Sequence, residues 1–218
     1  MEKSTKLHFT FHNVLFPIYY VGNKLLNMNS KEALNKLLEG NQRFIQGTMG
    51  CKNSSIEQLR EMANNHKPFA VVIGCSDSRV VPEIIFDQGL GELFVVRVAG
   101  NTVDNVCIGS VEYAVEHLNI PLVLVLGHTE CGVFKTATSG DDVHHHLGSL
   151  VETAKKAVER IKDFEGCSLS NAIKENIHIL VDKLQYSSPT IDKFIKEGKV
   201  EIRGALYDIK TGKIGVLH

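Results

Sequence analysis

Two short segments of the chain carry the side chains that are best suited to chemistry. One contains Cys75-Ser-Asp77-Ser-Arg79 and the other contains His128-Thr-Glu-Cys131. Two thiolates and one imidazole form the soft sulfur and nitrogen donor set that zinc prefers. Three protein ligands leave one coordination position for water or substrate, which is typical of catalytic rather than structural zinc. We therefore predict a zinc site at Cys75, His128 and Cys131, where bound water would ionise near neutral pH.

Asp77 and Arg79 indicate that this metal site is catalytic. The Asp77 carboxylate could complete the coordination as a fourth ligand in a closed state. In an open state it would instead accept a hydrogen bond from zinc-bound water and orient the resulting hydroxide. Arg79 is always charged and forks onto carboxylates, so it would keep Asp77 ionised and aimed. Both states are chemically sensible, and both use the two residues as a pair.

The elements that must position these segments have the pattern of a parallel sheet. Three apolar runs rich in β-branched residues, over residues 69–73, 93–96 and 122–126, predict strands that are buried on both faces. A helical stretch over residues 105–118 separates two of them, and such alternation is typical of right-handed crossovers. Ligands of parallel sheets lie beyond the carboxyl ends of strands. Both chemical segments follow a strand directly, so we expect them to converge.

The rest of the chain completes one α/β domain. A first helix begins after Asn29 or Ser30, and further helices are predicted over residues 55–64, 145–165, 170–187 and 189–197. Two closing strands over residues 200–207 and 213–217 flank a hairpin turn. No repeat or linker interrupts residues 29–218, which we interpret as a single catalytic domain. Residues 1–28 are interpreted as an N-terminal extension, either disordered or packed on a partner subunit.

Composition excludes several classes of protein. Apolar residues make up 43% of the 218 residues, enough for a sizeable core. A formal net charge of -1 argues against a nucleic-acid partner, and no apolar run is long enough to cross a bilayer. The five cysteines are an odd number, which argues against a disulfide framework. We therefore predict a reducing compartment and a cytoplasmic protein without a membrane partner.

The two segments resemble the motifs of the β-class carbonic anhydrases. The resemblance runs from about residue 29 to the C-terminus. It includes Phe94-Val-Val-Arg97-Val-Ala-Gly-Asn101, Pro82-Glu83, Ser187-Ser-Pro189 and Gly204-Ala-Leu-Tyr-Asp208. It implies an α/β fold with a mainly parallel central sheet, flanking helices and a C-terminal antiparallel strand extension. It also implies assembly into homodimers or higher homo-oligomers.

The resemblance implies an enzyme that reversibly hydrates carbon dioxide to bicarbonate and a proton. Zinc would be held by Cys75, His128 and Cys131. The Asp77–Arg79 dyad would orient zinc-bound hydroxide towards carbon dioxide, and Asp77 would join the metal only in a closed state. The amide of Gly132 would line the substrate pocket.

The chain departs from the family pattern at two points. The family often has a substrate-binding glutamine where this chain has His66. His66 would contact the substrate, help to carry protons because imidazoles titrate near neutrality, or be a surface residue without a role. The chain also has no tryptophan, so bicarbonate regulation through a tryptophan pocket is not expected.

Two other functions remain open from the sequence. One is hydrolysis of carbon disulfide or carbonyl sulfide at the same kind of zinc site. The other is a zinc-binding or bicarbonate-binding protein without turnover, which His66 keeps open. The presence of both Asp77 and Arg79 argues against the non-catalytic alternative, because a purely structural zinc does not need that pair.

Overall fold

The fold is a five-stranded sheet flanked by helices. The computed structural model describes residues 28–50, 55–64, 66–139, 143–163 and 168–217. The strand order is β2-β1-β3-β4-β5, with β1 at Ala70–Gly74, β2 at Leu93–Arg97, β3 at Leu122–His128, β4 at Glu201–Tyr207 and β5 at Ile214–Val216. The first four strands are parallel and β5 is antiparallel to β4. The predicted α/β sheet with an antiparallel extension is confirmed.

The helices surround this sheet. They are α1 (Ser30–Gln46), α2 (Ile56–Met62), α3 (Pro82–Ile85), α4 (Asn105–His117), α5 (Gly132–Ser139), α6 (Leu147–Ile161), α7 (Leu169–Ser187) and α8 (Pro189–Lys196). Asn29 caps α1 in a reciprocal capping box with Glu32, so the first helix begins where an Asn and a Glu three residues later predict it. The short helices α3 and α5 were not predicted. Apart from Met28, the predicted N-terminal extension lies outside the described residues.

The central strands β1 and β3 are buried along their whole length. Val71, Ile73, Val123 and Val125 belong to the core on one face, which includes residues of α4, α6 and α7. The alternate residues of both strands form the core on the other face, together with apolar residues of α1. Continuous apolar runs are therefore needed in both strands, because each face is covered.

The strand β2 corrects one prediction. All five of its residues are only half-buried. The reason is its place at the edge of the sheet, where its only neighbour in the strand order is β1. The apolar run over residues 93–96 predicts a strand that is covered on both faces. The run alone does not show whether the strand lies at the centre or at the edge of the sheet.

The helix α7 lies directly on the sheet. A Cβ placed at Gly127 of β3 would come within 2.6 Å of Ile177 Cδ1, and one at Gly204 of β4 within 2.6 Å of Ile177 Cγ2. The neighbouring strands β3 and β4 therefore both need a glycine where Ile177 packs against them. Close approach of this helix to β3 matters for the site, because His128 follows Gly127.

Within the described part of the chain, no helix combines the length and the apolar character that a membrane span requires.

Candidate metal centre

Three soft donor side chains converge at the carboxyl ends of β1 and β3. The ligand atoms of Cys75, His128 and Cys131 all lie within 4.8 Å of one another, and all three residues are buried. The two strands are parallel neighbours with Gly74 opposite Leu126, so their ends are side by side. Cys131 then returns to the group through a turn in which Glu130 has a positive φ of 60°. The convergence expected from the sequence is present.

The histidine is prepared to be a ligand. Nδ1 of His128 lies 2.9 Å from the carbonyl oxygen of Thr129, an acceptor, so Nδ1 carries the hydrogen and Nε2 keeps its lone pair. His128 is 1% exposed, and its Nε2 has no hydrogen-bond partner among the described residues. A buried acceptor without a partner is costly, and a metal ion would satisfy it. The donor set and this lone pair together fit zinc.

The contact between the two cysteines favours loss of the proton from Cys75. A hydrogen bond from the Cys131 thiol lowers the pKa of Cys75 to about 4, against the opposing effect of burial. The same contact raises the pKa of Cys131, because its proton is held against the Cys75 thiolate. The backbone N–H of Gly100 also donates to Cys75 Sγ at 3.3 Å. A thiolate at Cys75 is the form that binds a metal.

The Asp77 carboxylate is locked onto Arg79. Arg79 donates from Nε to Oδ1 at 2.9 Å, from Nη2 to Oδ2 at 2.7 Å and from its backbone N–H to Oδ1 at 3.0 Å. These bonds from Arg79 hold the pKa of Asp77 well below its usual range. Arg79 Nη2 also donates to the carbonyl of Glu130 at 3.4 Å. The arginine therefore joins the loop after β1 to the turn that carries Cys131, and it binds both oxygens of Asp77.

A second arginine fixes the same loop. Arg97, the last residue of β2, donates from Nε to the carbonyl of Cys75 at 2.9 Å and from Nη2 to the carbonyl of Asp77 at 2.7 Å. Arg97 belongs to one of the family motifs, but its residue type and position did not predict this role. The sequence signal for such a role was a positively charged residue at the carboxyl end of a predicted strand. The candidate metal ligands follow the carboxyl ends of the neighbouring strands.

Comparison with known proteins decides the family. A family model described as carbonic anhydrase matches residues 70–214. Carbonic anhydrase 2 of Mycobacterium tuberculosis is 36% identical over 199 residues, which cover 86% of this chain and 92% of that protein. The carbonic anhydrase of Mycolicibacterium smegmatis is 36% identical over 200 residues, with 86% and 93% covered. This chain belongs to the β-carbonic anhydrase family.

Solved structures of other β-carbonic anhydrases have the same fold. The β-carbonic anhydrase CcaA has a TM-score of 0.67 and 28% identity, over 85% of this chain and 95% of that one. A structure from the ascomycete Sordaria macrospora, described among two tetrameric β-carbonic anhydrases, has a TM-score of 0.65 and 28% identity, over 73% and 85%. The predictions of family and of enzyme class are confirmed.

Gly132 and His66 have different positions in this carbonic anhydrase. Gly132 follows Cys131 directly and is the first residue of α5, where a Cβ would meet nothing within 4 Å. His66 is exposed and precedes β1, whereas Cys75 follows it. The strand between them has five residues and is roughly 16 Å long. His66 instead lines a different cavity together with Lys36 and His117, so a single chain does not bring it to the cysteines.

Proposed function

We propose that this carbonic anhydrase catalyses zinc-dependent, reversible hydration of carbon dioxide, with Cys75, His128 and Cys131 as ligands and Asp77 and Arg79 as the catalytic dyad. One observation carries the proposal. A buried group of three donors, with the lone pair of His128 Nε2 unpartnered among the described residues, lies next to a carboxylate held in its ionised form. A structural zinc site has no need for such a carboxylate.

The chain supplies a set of prepared ligands. When bound, zinc would lower the pKa of a coordinated water and so provide hydroxide near neutral pH. The bond from His128 Nδ1 to the Thr129 carbonyl fixes the orientation of the imidazole. Two hydrogen bonds hold the Cys75 thiolate in place. The backbone N–H of Gly100 donates to Cys75 Sγ, and Arg97 donates to the backbone carbonyl of Cys75.

Asp77 would orient the nucleophile and not deprotonate it. Its low pKa makes it a weak base, so it remains a carboxylate at any pH at which the enzyme works. Arg79 holds both carboxylate oxygens. Oδ1 already accepts two hydrogen bonds from Arg79, whereas Oδ2 accepts one and keeps a further lone pair to accept a hydrogen bond from the attacking oxygen. That bond would direct the attack onto the carbon of carbon dioxide. The released proton passes to another base or to solvent.

Gly132 is the proposed backbone contact for the substrate. The first N–H groups of a helix have no acceptor within the helix, and Gly132 begins α5 next to the metal ligand Cys131. We propose that its amide contacts an oxygen of the substrate. The mechanism proposed here does not use His66.

The variant Asp77→Asn tests the dyad. It keeps the shape of the side chain but removes the negative charge. We expect carbon dioxide hydration to fall by at least about 100-fold, because the nucleophile is then no longer held in the reactive orientation. Stopped-flow hydration would be measured on samples with zinc quantified per chain. Glu130→Gln is the matched control, because it is the same chemical change at the residue before Cys131, where the carboxylate instead pairs with Lys135. Its rate should stay near wild type.

The outcomes separate the parts of the proposal. A full hydration rate in Asp77→Asn with zinc bound would refute the role of Asp77 but leave the activity in place. A wild-type protein with one zinc per chain and no hydration would refute the proposed activity. A wild-type protein that binds no zinc would refute the ligand set.

We also propose that the chain works as a homodimer or larger homo-oligomer. The edge strand β2 is only half-buried, and the Tyr113 ring, 6.3 Å from that of Phe94 in β2, is 50% exposed. Val106, on the same helix as Tyr113, is 77% exposed. Unpaired edges and exposed apolar patches are typically covered by another chain. Light scattering should give at least twice the chain mass of 24.1 kDa, and a monomer at micromolar concentration would contradict this assembly.

The remaining predictions concern organisation and compartment. Two apolar clusters share the strands of one sheet, which supports residues 29–218 as a single catalytic domain.

Cys75, Cys107 and Cys131 are free thiols. Free buried thiols are compatible with the cytoplasm, the compartment that we propose.

A further inference from the structure

The helix α7 has one polar residue in its buried apolar face. The other buried residues of this helix are Ala172, Ile173, Ile177, Leu180 and Leu184. Asn176 lies among them with 2% of its surface exposed, and its Oδ1 has no hydrogen-bond partner among the described residues. Burying an amide oxygen without a partner costs free energy, so its presence in this face requires a physical reason.

A second buried side-chain amide also lacks hydrogen-bond partners among the described residues. Asn101 is 3% exposed, and neither its Oδ1 nor its Nδ2 has a partner in the described part of the chain. It ends the 3-10 turn Ala99–Asn101 with a positive φ of 55°. The preceding residue, Gly100, donates its backbone N–H to Cys75 Sγ. The conformation of this turn therefore sets the position of a donor to a proposed metal ligand.

The two amides line one small cavity that adjoins the candidate metal centre. Its volume is about 10 Å³, and His128 and Cys131 form part of its wall. This is close to the room that the centre of a single water molecule needs. A buried water typically makes two to four hydrogen bonds, and Asn101 offers a donor and an acceptor while Asn176 offers an acceptor.

We propose that one buried water molecule bridges Asn101 and Asn176 in this cavity. The water would donate to Asn176 Oδ1 and exchange hydrogen bonds with the Asn101 amide. It would thereby connect α7 to the turn that presents the Gly100 amide to Cys75. Asn101 and Asn176 are in this sense positioning residues that act on the metal site through the Gly100–Cys75 bond. The inference rests on the proposed ligand role of Cys75 but not on any rate of hydration.

A high-resolution crystal structure of the zinc-loaded wild-type protein tests the water directly. We expect one ordered water within hydrogen-bond distance of both side-chain amides. A direct hydrogen bond between the two amides, with no water between them, would overturn the proposal. An empty cavity would overturn it as well.

The variant Asn176→Leu tests the connection to the metal. Leucine has a similar size and matches the apolar face of α7, so a merely tolerated Asn176 predicts a protein at least as stable as wild type. The bridging water predicts the opposite, because Asn101 then loses its partner. We expect a lower urea midpoint and release of zinc to a chelator that is about 10-fold faster, as is typical when a group supporting a metal ligand is removed.

Leu180→Ala is the control for a loss of packing. Leu180 is fully buried one helical turn from Asn176 and does not line the cavity. It should lower the urea midpoint without changing the rate of zinc release. Asn101→Gly, which tolerates the positive φ and removes the other amide, should accelerate zinc release in the same way as Asn176→Leu. Unchanged zinc release in both asparagine variants would overturn the proposal.

Discussion

Replacing Gly127 by alanine tests how closely α7 packs on β3 beneath the metal centre. The new Cβ would lie 2.6 Å from Cδ1 and 2.9 Å from Cγ1 of Ile177, and 3.1 Å from Cγ2 of Ile173. Ordinary contacts of a Cβ are 3.4–4 Å, so the Ile177 side chain must move by about an ångström in a densely packed core. We expect a loss of about 2 kcal/mol in the free energy of unfolding, in the usual range for overpacking.

A second substitution identifies the clash as the cause. Ile177→Val removes Cδ1, the nearest atom, and by itself should cost about 1 kcal/mol. Two independent effects would sum to about 3 kcal/mol. Because valine relieves part of the clash, the double variant should lose clearly less, about 1–2 kcal/mol. Gly148→Ala is the control, since its Cβ on α6 would lie 4.0 Å from the Val143 carbonyl oxygen, an ordinary contact, and should stabilise by up to about 1 kcal/mol.

The assay is urea unfolding at one fixed protein concentration, because an oligomer's stability depends on concentration. Circular dichroism suits the many helices, and tyrosine emission can replace tryptophan emission, since the chain has five tyrosines and no tryptophan. A Gly127→Ala protein as stable as wild type would refute the close packing of α7 on β3. Strict additivity in the double variant would show that Cδ1 of Ile177 is not the atom that resists the new Cβ.

Two further predictions concern charges away from the candidate zinc ligands. Arg43→Ala should lower the free energy of unfolding by about 3 kcal/mol, because Asp87, only 2% exposed, loses the guanidinium that bonds its carboxylate. Urea unfolding measures this loss, and the double variant Arg43→Ala/Asp87→Asn should recover part of it. Asp104→Ala should cost about 1 kcal/mol at pH 7, because Asp104 caps α4 through the Cys107 backbone N–H. That bond also lowers the pKa of Asp104, so its stabilisation is present above the pKa of the unfolded state and is lost as pH falls through the lower folded pKa. The difference between wild type and Asp104→Ala in urea should therefore shrink below about pH 4, and a difference independent of pH would contradict the role of the carboxylate.

The strands were predictable because their local patterns are strong. Short β-branched runs ending at glycine gave β1 and β3 within a few residues, and Asn29 with Glu32 gave the start of α1. The short α5 was missed because eight residues that begin with glycine and include two threonines have little helical preference of their own. It forms in the context of the core, into which Phe134 and Ala137 are buried.

The residue types alone determined much of the candidate site. Cysteine, histidine and the nearby Asp–Arg pair have chemistry that belongs to each side chain, and their place after apolar strands could be read from the local pattern. The resemblance of the motifs then indicated the family that the comparisons confirmed.

The tertiary structure showed how the predicted convergence arises and added contacts that the sequence did not indicate. The parallel register of β1 and β3 brings Cys75 to His128, and the edge position of β2 brings Arg97 onto the Cys75–Asp77 backbone. It also placed His66 at the opposite end of β1 and set Asn101 and Asn176 around one cavity. The physical reason is that side-chain chemistry is local, whereas strand order and helix packing depend on burial across the whole core, which no short segment encodes.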